Sequence, residues 1–384
     1  MKKLLALSAA AMLSALLGGH AQAEIKVGFI TSLSGPGASI GIPYSKGMKA
    51  ALAYMSEVSG EKIRVIELDD ASDTSAAARN ARKLIDEDKV DVLMGTSGVP
   101  GSLAMVSAAV EQKVPMIGVT PLPPGPAGEG GPWVISIPQT PKMMVAAVVE
   151  HMKKMKLKNV AYIGFSDSWG DLIYGALTAA AGSDIKIVTN ERYARPDTSV
   201  TAQVLKIVAA KPDAVMTGGS GTPGALPFLA LAERGYKGPT YGSHALINAD
   251  FVRVGGQAVE GVICPTGPVV VAEQLPDSAP TKKMALTFRA SYEKANGAST
   301  TDAFSPYVFD GWLVLLDASK QALAKGAKPG TPEFRAALRE ALVNTKDVVG
   351  AHAVYNFTPA DRNGVDDRAR VLVQLQKGAW KLMP

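Results

Sequence analysis

Residues 25–36 read Ile25-Lys26-Val27-Gly28-Phe29-Ile30-Thr31-Ser32-Leu33-Ser34-Gly35-Pro36, an apolar run of strand length that stops in a loop of small and hydroxylated residues. The same sequence pattern recurs. Lys62 to Leu68 is a second strand with Asp69-Asp70 at its end, Val90 to Met94 a third stopping at Gly95-Thr96-Ser97-Gly98, and Val114 to Val119 a fourth stopping at Thr120-Pro121. Between them lie helical stretches, Lys46 to Ser56, Ala76 to Asp86 and Ser102 to Gln112, with apolar residues recurring on one face. Strand, helix, strand in repetition implies βαβ units, a parallel sheet and right-handed crossovers.

A second series begins after the Pro/Gly-rich stretch 121–132. The expected strands are Asn159 to Phe165, Ile185 to Asn190, Ala214 to Thr217 and Thr240 to Gly242, interleaved with helices over 145–155, 169–181, 200–210 and 228–234. The last part differs. Val269 to Leu275 leads to helices over 281–295, 307–324 and 331–343, and Ala353 to Phe357 and Arg370 to Gln376 alternate like strands. Two doubly wound α/β sheets precede these late helices, which must pack back on one of them, so the chain crosses between its domains more than once.

The chain of 384 residues opens with Lys2-Lys3, an apolar stretch from Leu4 to Leu17 and a small-x-small site at Ala21-Gln22-Ala23. That is the plan of a secretory signal over 1–23, cut before Glu24, and its apolar stretch is short of the roughly 18 to 20 residues that span a bilayer. Removing it takes away two lysines and no acids, so the formal charge falls from +5 to +3. A charge that small and that scattered gives no electrostatic case for a nucleic-acid partner. The single cysteine, Cys264, leaves no intrachain disulfide and reads as a small buried hydrophobe.

Enzyme motifs are missing: no His-Glu-x-x-His, nucleophile elbow, Walker loop or dinucleotide fingerprint occurs. Asp69-Asp70 reads as solvation or helix capping rather than a metal pair, and no cofactor is expected. Ser243-His244 is the one serine–histidine neighbour pair, without an evident orienting acid. Binding fits better. In open α/β sheets ligands lie beyond the carboxyl ends of the strands, where Ser32–Gly41, Gly95–Ser102, Thr120–Pro124, Phe165–Trp169, Gly218–Thr222 and Ser243–Ala245 fall. Backbone N–H groups at helix starts, with hydroxyls beside them, make an anion pocket that needs no fixed cation.

These residues resemble the type I periplasmic solute-binding proteins of ABC importers, on the branch of the leucine/isoleucine/valine-binding proteins. The resemblance is carried by 25–30 with Ser32-Leu33-Ser34-Gly35-Pro36, Gly41 and Gly47, Leu68-Asp69-Asp70, Gly95-Thr96-Ser97-Gly98, Pro115-Met116-Ile117 with Thr120-Pro121, Asp167-Ser168-Trp169-Gly170, and Gly255-Gly256 before Glu260-Gly261-Val262. It implies two lobes joined by three hinge crossings, 24–141 plus 272–347 and 142–271 plus 348–384. A ligand would be clamped between them in the periplasm and handed to an inner-membrane permease, by a monomer and without catalysis.

The implied ligand contacts are Ser34, Tyr44, Thr96, Ser97, Val99, Ser102, Thr120 and Pro121 from the first lobe. Phe165, Trp169, Gly219, Ser220 and His244 come from the second, and Phe304 and Tyr307 are further candidate walls. The departures from the family pattern bear on the ligand. Around Gly98-Val99-Pro100-Gly101-Ser102 the only hydroxyls are Thr96, Ser97 and Ser102, Leu122-Pro123-Pro124 removes backbone donors, and Gly242-Ser243-His244-Ala245 stands where amino-acid binders place an acid against the α-ammonium. A buried ammonium without a carboxylate is costly. The expected ligand is therefore a small carboxylate, benzoate-like or an aryl keto acid, with branched-chain amino acids as the alternative and a hydrolytic enzyme using Ser243-His244 as the more remote one.

Overall fold

A computed structural model of the chain describes residues 24–122 and 131–384; the expected signal over 1–23 and the pair Pro123-Pro124 lie outside them. The first sheet is formed by β1 (Ile25–Thr31), β2 (Glu57–Val58), β3 (Glu61–Asp69), β4 (Val92–Gly95), β5 (Met116–Gly118) and β6 (Val134–Ser136), in the order β2-β3-β1-β4-β5-β6. All neighbours pair in parallel except β2 with β3. β1 and β4 are buried on both faces, which is why Ile25, Val27, Phe29 and Ile30 read as a continuous apolar run rather than an alternating one. Helices α1 (Ala38–Tyr54), α2 (Thr74–Asp86) and α3 (Val99–Glu111) cover the faces.

The second sheet contains β7 (Asn159–Phe165), β8 (Lys186–Tyr193), β9 (Ala214–Gly218), β10 (Thr240–Gly242), β11 (Ile263–Thr266), β14 (Val371–Gln376) and β15 (Ala379–Leu382), in the order β15-β14-β11-β10-β9-β7-β8. Its last two strands are antiparallel additions at one edge. The helices of this series are α4 (Pro141–Lys154), α5 (Ser168–Ala181), α6 (Thr201–Ala209), α7 (Leu226–Glu233) and α8 (Ala249–Gly255). Three late helices, α9 (Lys282–Asn296), α10 (Ser305–Ala324) and α11 (Pro332–Leu342), return to the first lobe, with α9 and α10 packed on α1. The chain is thus two doubly wound α/β lobes with three crossings, falling between β6 and α4, between β11 and α9, and before β14. Within each sheet the strand order reverses once, between β1 and β4 and between β7 and β9.

Several details differ from the expectation, and β2, α8 and β11 are not among the expected elements. The first helix starts at Ala38, inside the stretch read as a loop, although Pro43 lies within it. Tertiary packing outweighs propensity here: a Cβ at Gly41 would meet the Ser32 carbonyl oxygen at 2.0 Å, so glycine alone lets the helix lie on that strand end. β6 and β15 are short and were not separable from loop and tail by pattern. The hairpin of β12 (Val348–Val349) and β13 (Val354–Tyr355) packs on α10, so we place the third crossing after Phe357 rather than at the expected border after 347.

That hairpin is fixed by one buried carboxyl. Asp310 of α10 accepts the N–H groups of Ala351 (2.6 Å) and His352 (2.9 Å) and the hydroxyl of Tyr355 (2.9 Å). Burial pushes it up to about 7, against the pull of those donors. A raised carboxyl takes up its proton more readily folded than unfolded, so this group's contribution to stability falls as pH rises from about 4 to about 7. We expect Asp310→Asn to flatten that part of the profile and Asp310→Ala to lower stability by about 2–4 kcal/mol, both read by denaturant unfolding across the pH range.

Candidate functional site

The carboxyl ends of the two sheets face one another, and the loops that leave them line a shared, half-open cavity between the lobes. β4 ends at Gly95, and the chain turns through Thr96-Ser97 into α3, whose N-cap is Gly98, with no side-chain cap among the described residues. Ser97 and Val99 therefore reach the cavity at an uncapped helix start. Ser97 Oγ accepts the N–H of Ser32 (2.9 Å) and pairs with Thr31 Oγ1 (3.0 Å), so it bridges the two loops that diverge at the sheet's reversal point. Tyr44 of α1 donates its hydroxyl to the Val119 carbonyl (2.6 Å), which leaves its ring as a wall, edge-on to Phe304 at 5.9 Å. Thr120 Oγ1 donates to the Thr96 carbonyl, and Pro121 follows as an apolar surface.

From the second lobe Trp169 stands in the first turn of α5, a helix capped by Asp167, which accepts the N–H groups of Trp169 and Gly170. Its indole N–H donates to the Gly219 carbonyl (3.3 Å), and its ring meets His244 edge-on at 5.4 Å. His244 is 3% exposed, neither ring nitrogen has a hydrogen-bond partner among the described residues, and burial pushes it down to about 4. It is a neutral imidazole at pH 7, with one donor and one acceptor unused. Ser243 offers it nothing: its hydroxyl donates to the Gly219 carbonyl (3.1 Å) and accepts the Ala245 N–H, so the pair forms no nucleophile–base couple.

A cation is present where none was expected. Arg195 lines the cavity, with Nε on Asp167 Oδ2 (2.6 Å), Nη1 donating to Ser220 Oγ (3.0 Å) and its guanidinium 4.2 Å from the Phe165 ring centre. It was missed because the sequence pattern ended the strand at Asn190. β8 runs to Tyr193, which puts Arg195 just past a carboxyl end, the place such sites use. Ile40 of α1 was missed as well, hidden in the stretch read as a loop.

Of the expected contacts, Tyr44, Ser97, Val99, Thr120, Pro121, Trp169, Ser220 and His244 line this cavity together with Phe304 and Tyr307. Five do not. Ser34 is exposed, donating its hydroxyl to Asp69 Oδ2 (2.7 Å) and tying two surface loops. Thr96 donates to Asp70 and faces a neighbouring polar compartment, and Ser102 lies behind it in α3, accepting the Thr96 N–H. Phe165 is fully buried beneath Arg195, and Gly219 backs the wall through its carbonyl. Asp70, also buried, accepts from Ser32, Ser72 and Thr96, which accounts for the acid pair structurally. No cluster of metal-binding side chains occurs among the described residues. Cys264 is wholly buried, and burial pushes its thiol up.

The lobes are drawn together around the cavity. Ser39 Oγ of α1 accepts the Thr222 N–H (2.9 Å) across the cleft, and a Cβ at Gly221 would meet Ser39 Oγ at 2.4 Å. A second crossing bond runs from the Ala303 N–H to the Ile247 carbonyl (3.0 Å).

Residues 24–379 match the family described as periplasmic binding protein. A Leu/Ile/Val-binding protein homolog 3 from Brucella melitensis biotype 1 is 26% identical over 63% of this chain and 67% of its own length. An extracellular ligand-binding receptor from Rhodopseudomonas palustris HaA2 is 43% identical and superposes with a TM-score of 0.90 over 94% of this chain and all of its own. An ABC-transporter solute-binding protein from R. palustris, solved with benzoate, shares the fold at 22% identity and a TM-score of 0.75, over 94% of this chain and 95% of its own. With its two lobes, three crossings and interlobe cavity, the chain belongs to the type I periplasmic binding proteins of ABC importers, a family of solute receptors.

Proposed function

We propose that the chain captures a small aromatic carboxylate in the interlobe cavity and delivers it to an inner-membrane ABC permease. It would do so in the periplasm, as a monomer freed of residues 1–23. The observation that carries this reading is the character of the wall. Among the described residues that line the cavity there is one cation, Arg195, and no carboxylate, while Tyr44, Trp169, Phe304 and Tyr307 supply aromatic faces. Arg195 spends Nε on Asp167 and Nη1 on Ser220, which leaves Nη2 for a ligand oxygen. The uncapped start of α3 lies on the same cavity, so a carboxylate there meets backbone N–H groups as well as Arg195.

An α-amino acid would bring an ammonium group into that wall with no acid to meet it, at a cost of several kcal/mol. Asp70 and Asp167 face the adjoining polar compartment instead, and both are already engaged by hydroxyl, amide or guanidinium donors. Both comparison ligand classes belong to relatives: a protein of this fold was solved with benzoate, and a 26% identical homologue carries a Leu/Ile/Val-binding name. The wall favours the former.

Calorimetry or thermal shift on residues 24–384 decides between them. A ligand that binds only the folded state at a hundred times its dissociation constant adds about 2.7 kcal/mol. We expect benzoate to stabilise and leucine to leave the melting curve unchanged; stabilisation by leucine, isoleucine or valine alone would overturn the aromatic reading. Arg195→Gln is expected to weaken benzoate about tenfold to a hundredfold, the loss of one or two charge-assisted hydrogen bonds.

His244 gives a second check on the cavity itself. Its pKa of about 4 lies below the ordinary value of 6.5, so the unfolded chain binds that proton more readily and stability is lost as pH falls from 6.5 to about 4. The loss from this group amounts to roughly 3 kcal/mol, and in the His244→Gln variant that part of the acid limb should be absent from unfolding curves.

A further inference from the structure

The three crossings converge on one buried side chain. Gln139 lies in the first, between β6 and α4, and is 1% exposed. Its Nε2 donates to the carbonyl of Ala369 in the third crossing (2.7 Å), and its Oε1 accepts the hydroxyl of Tyr307 (2.6 Å). The second crossing opens at Gly267, where a Cβ would come within 2.8 Å of the same Nε2 and 1.8 Å of His352 Nδ1, so only glycine lets that segment pass so close. His352 in turn stacks on the Tyr307 ring at 4.0 Å, with its ring Nε2 on the Ala303 carbonyl and its backbone N–H on Asp310. One face of this pile is therefore cavity wall, and the other is hinge.

A buried amide must keep both of its ends satisfied, and hydrogen bonds of 2.6–2.7 Å leave little slack. If Tyr307 shifts to seat or release a molecule, either its hydroxyl leaves Gln139 or it draws the amide away from Ala369. We infer that Gln139 is a positioning residue through which the cavity wall, by way of Tyr307, sets the geometry of the hinge. The inference rests on the reading that the interlobe cavity is the ligand site. Hinge closure concentrates its dihedral changes in a few connecting residues, and here one amide in the first crossing is bonded to the third and closely packed against the second.

Hydrogen exchange in the ligand-free protein tests this without knowledge of the ligand, read by mass spectrometry on segments 266–271 and 367–371. Gln139→Leu removes both bonds at similar volume, and Tyr307→Phe removes only the hydroxyl at the cavity wall. Each is expected to speed exchange in both segments about tenfold, roughly the worth of one buried hydrogen bond, and the double variant no further than either alone. Unchanged exchange in Tyr307→Phe, or multiplicative effects in the double variant, would overturn the inference. Should Gln139→Leu not fold, Gln139→Glu keeps the acceptor for Tyr307 but cannot donate to Ala369 once ionised. Its excess exchange over wild type at about pH 8 should vanish at about pH 5, where a protonated buried carboxyl donates again, and an excess equal at both would count against the inference. Saturating benzoate is expected to protect both segments in the wild type and not in Tyr307→Phe. Absence of protection in the wild type would sink the ligand reading, while the ligand-free cycle still decides the coupling.

Discussion

A parallel strand hands its chain on at its carboxyl end, and in this protein both sheets present those ends to the same gap. Most of what surrounds the cavity follows from that constraint. Ser97 arrives after β4, Trp169 after β7, Arg195 after β8, Ser220 after β9 and His244 after β10, each delivered by the carboxyl end of a parallel strand. The order of strands reverses beside β4 and β7, so neighbouring loops diverge there and leave room rather than filling it.

The cavity wall divides its labour between lobes. Aromatic rings from α1 and α10 have their hydroxyls occupied by the protein, Tyr44 on Val119 and Tyr307 on Gln139, and so present faces rather than polar edges. The second lobe supplies the cation, with Arg195 held in place by Asp167 and Ser220, and an imidazole whose nitrogens have no hydrogen-bond partner among the described residues. Asp167 does two things at once. It caps α5 beneath Trp169 and anchors the guanidinium, so the aromatic wall and the cation are set by one carboxylate.

The strands and helices were largely legible because their apolar patterns are long and bounded by turn residues, as in Ile25–Thr31 and Asn159–Phe165. The failures were local. The start of α1 was hidden by glycines and Pro43, and the end of β8 was hidden by its polar residues Asn190, Glu191 and Arg192 on an edge strand. The second error concealed Arg195 and with it the charge of the site. Ser34 was drawn to the cleft by its place after β1, yet its hydroxyl is taken up by Asp69 at the surface.

By itself the sequence determined the two-sheet α/β plan, the family and the list of loops that reach the cleft, since these depend on periodicity and on residue types along a single strand or helix. Only the tertiary structure decided which side chain on each loop faces the cavity. Burial and pairing choose between near neighbours: Ser97 over the adjacent Thr96, Ser220 over the adjacent Gly219, and Trp169 over Phe165 four residues before it. It also decided that Gln139, Gly267 and Ala369, far apart in the chain, meet beneath Tyr307. Contacts between crossings leave no periodic trace along the chain, because their partners are brought together only when both lobes have folded.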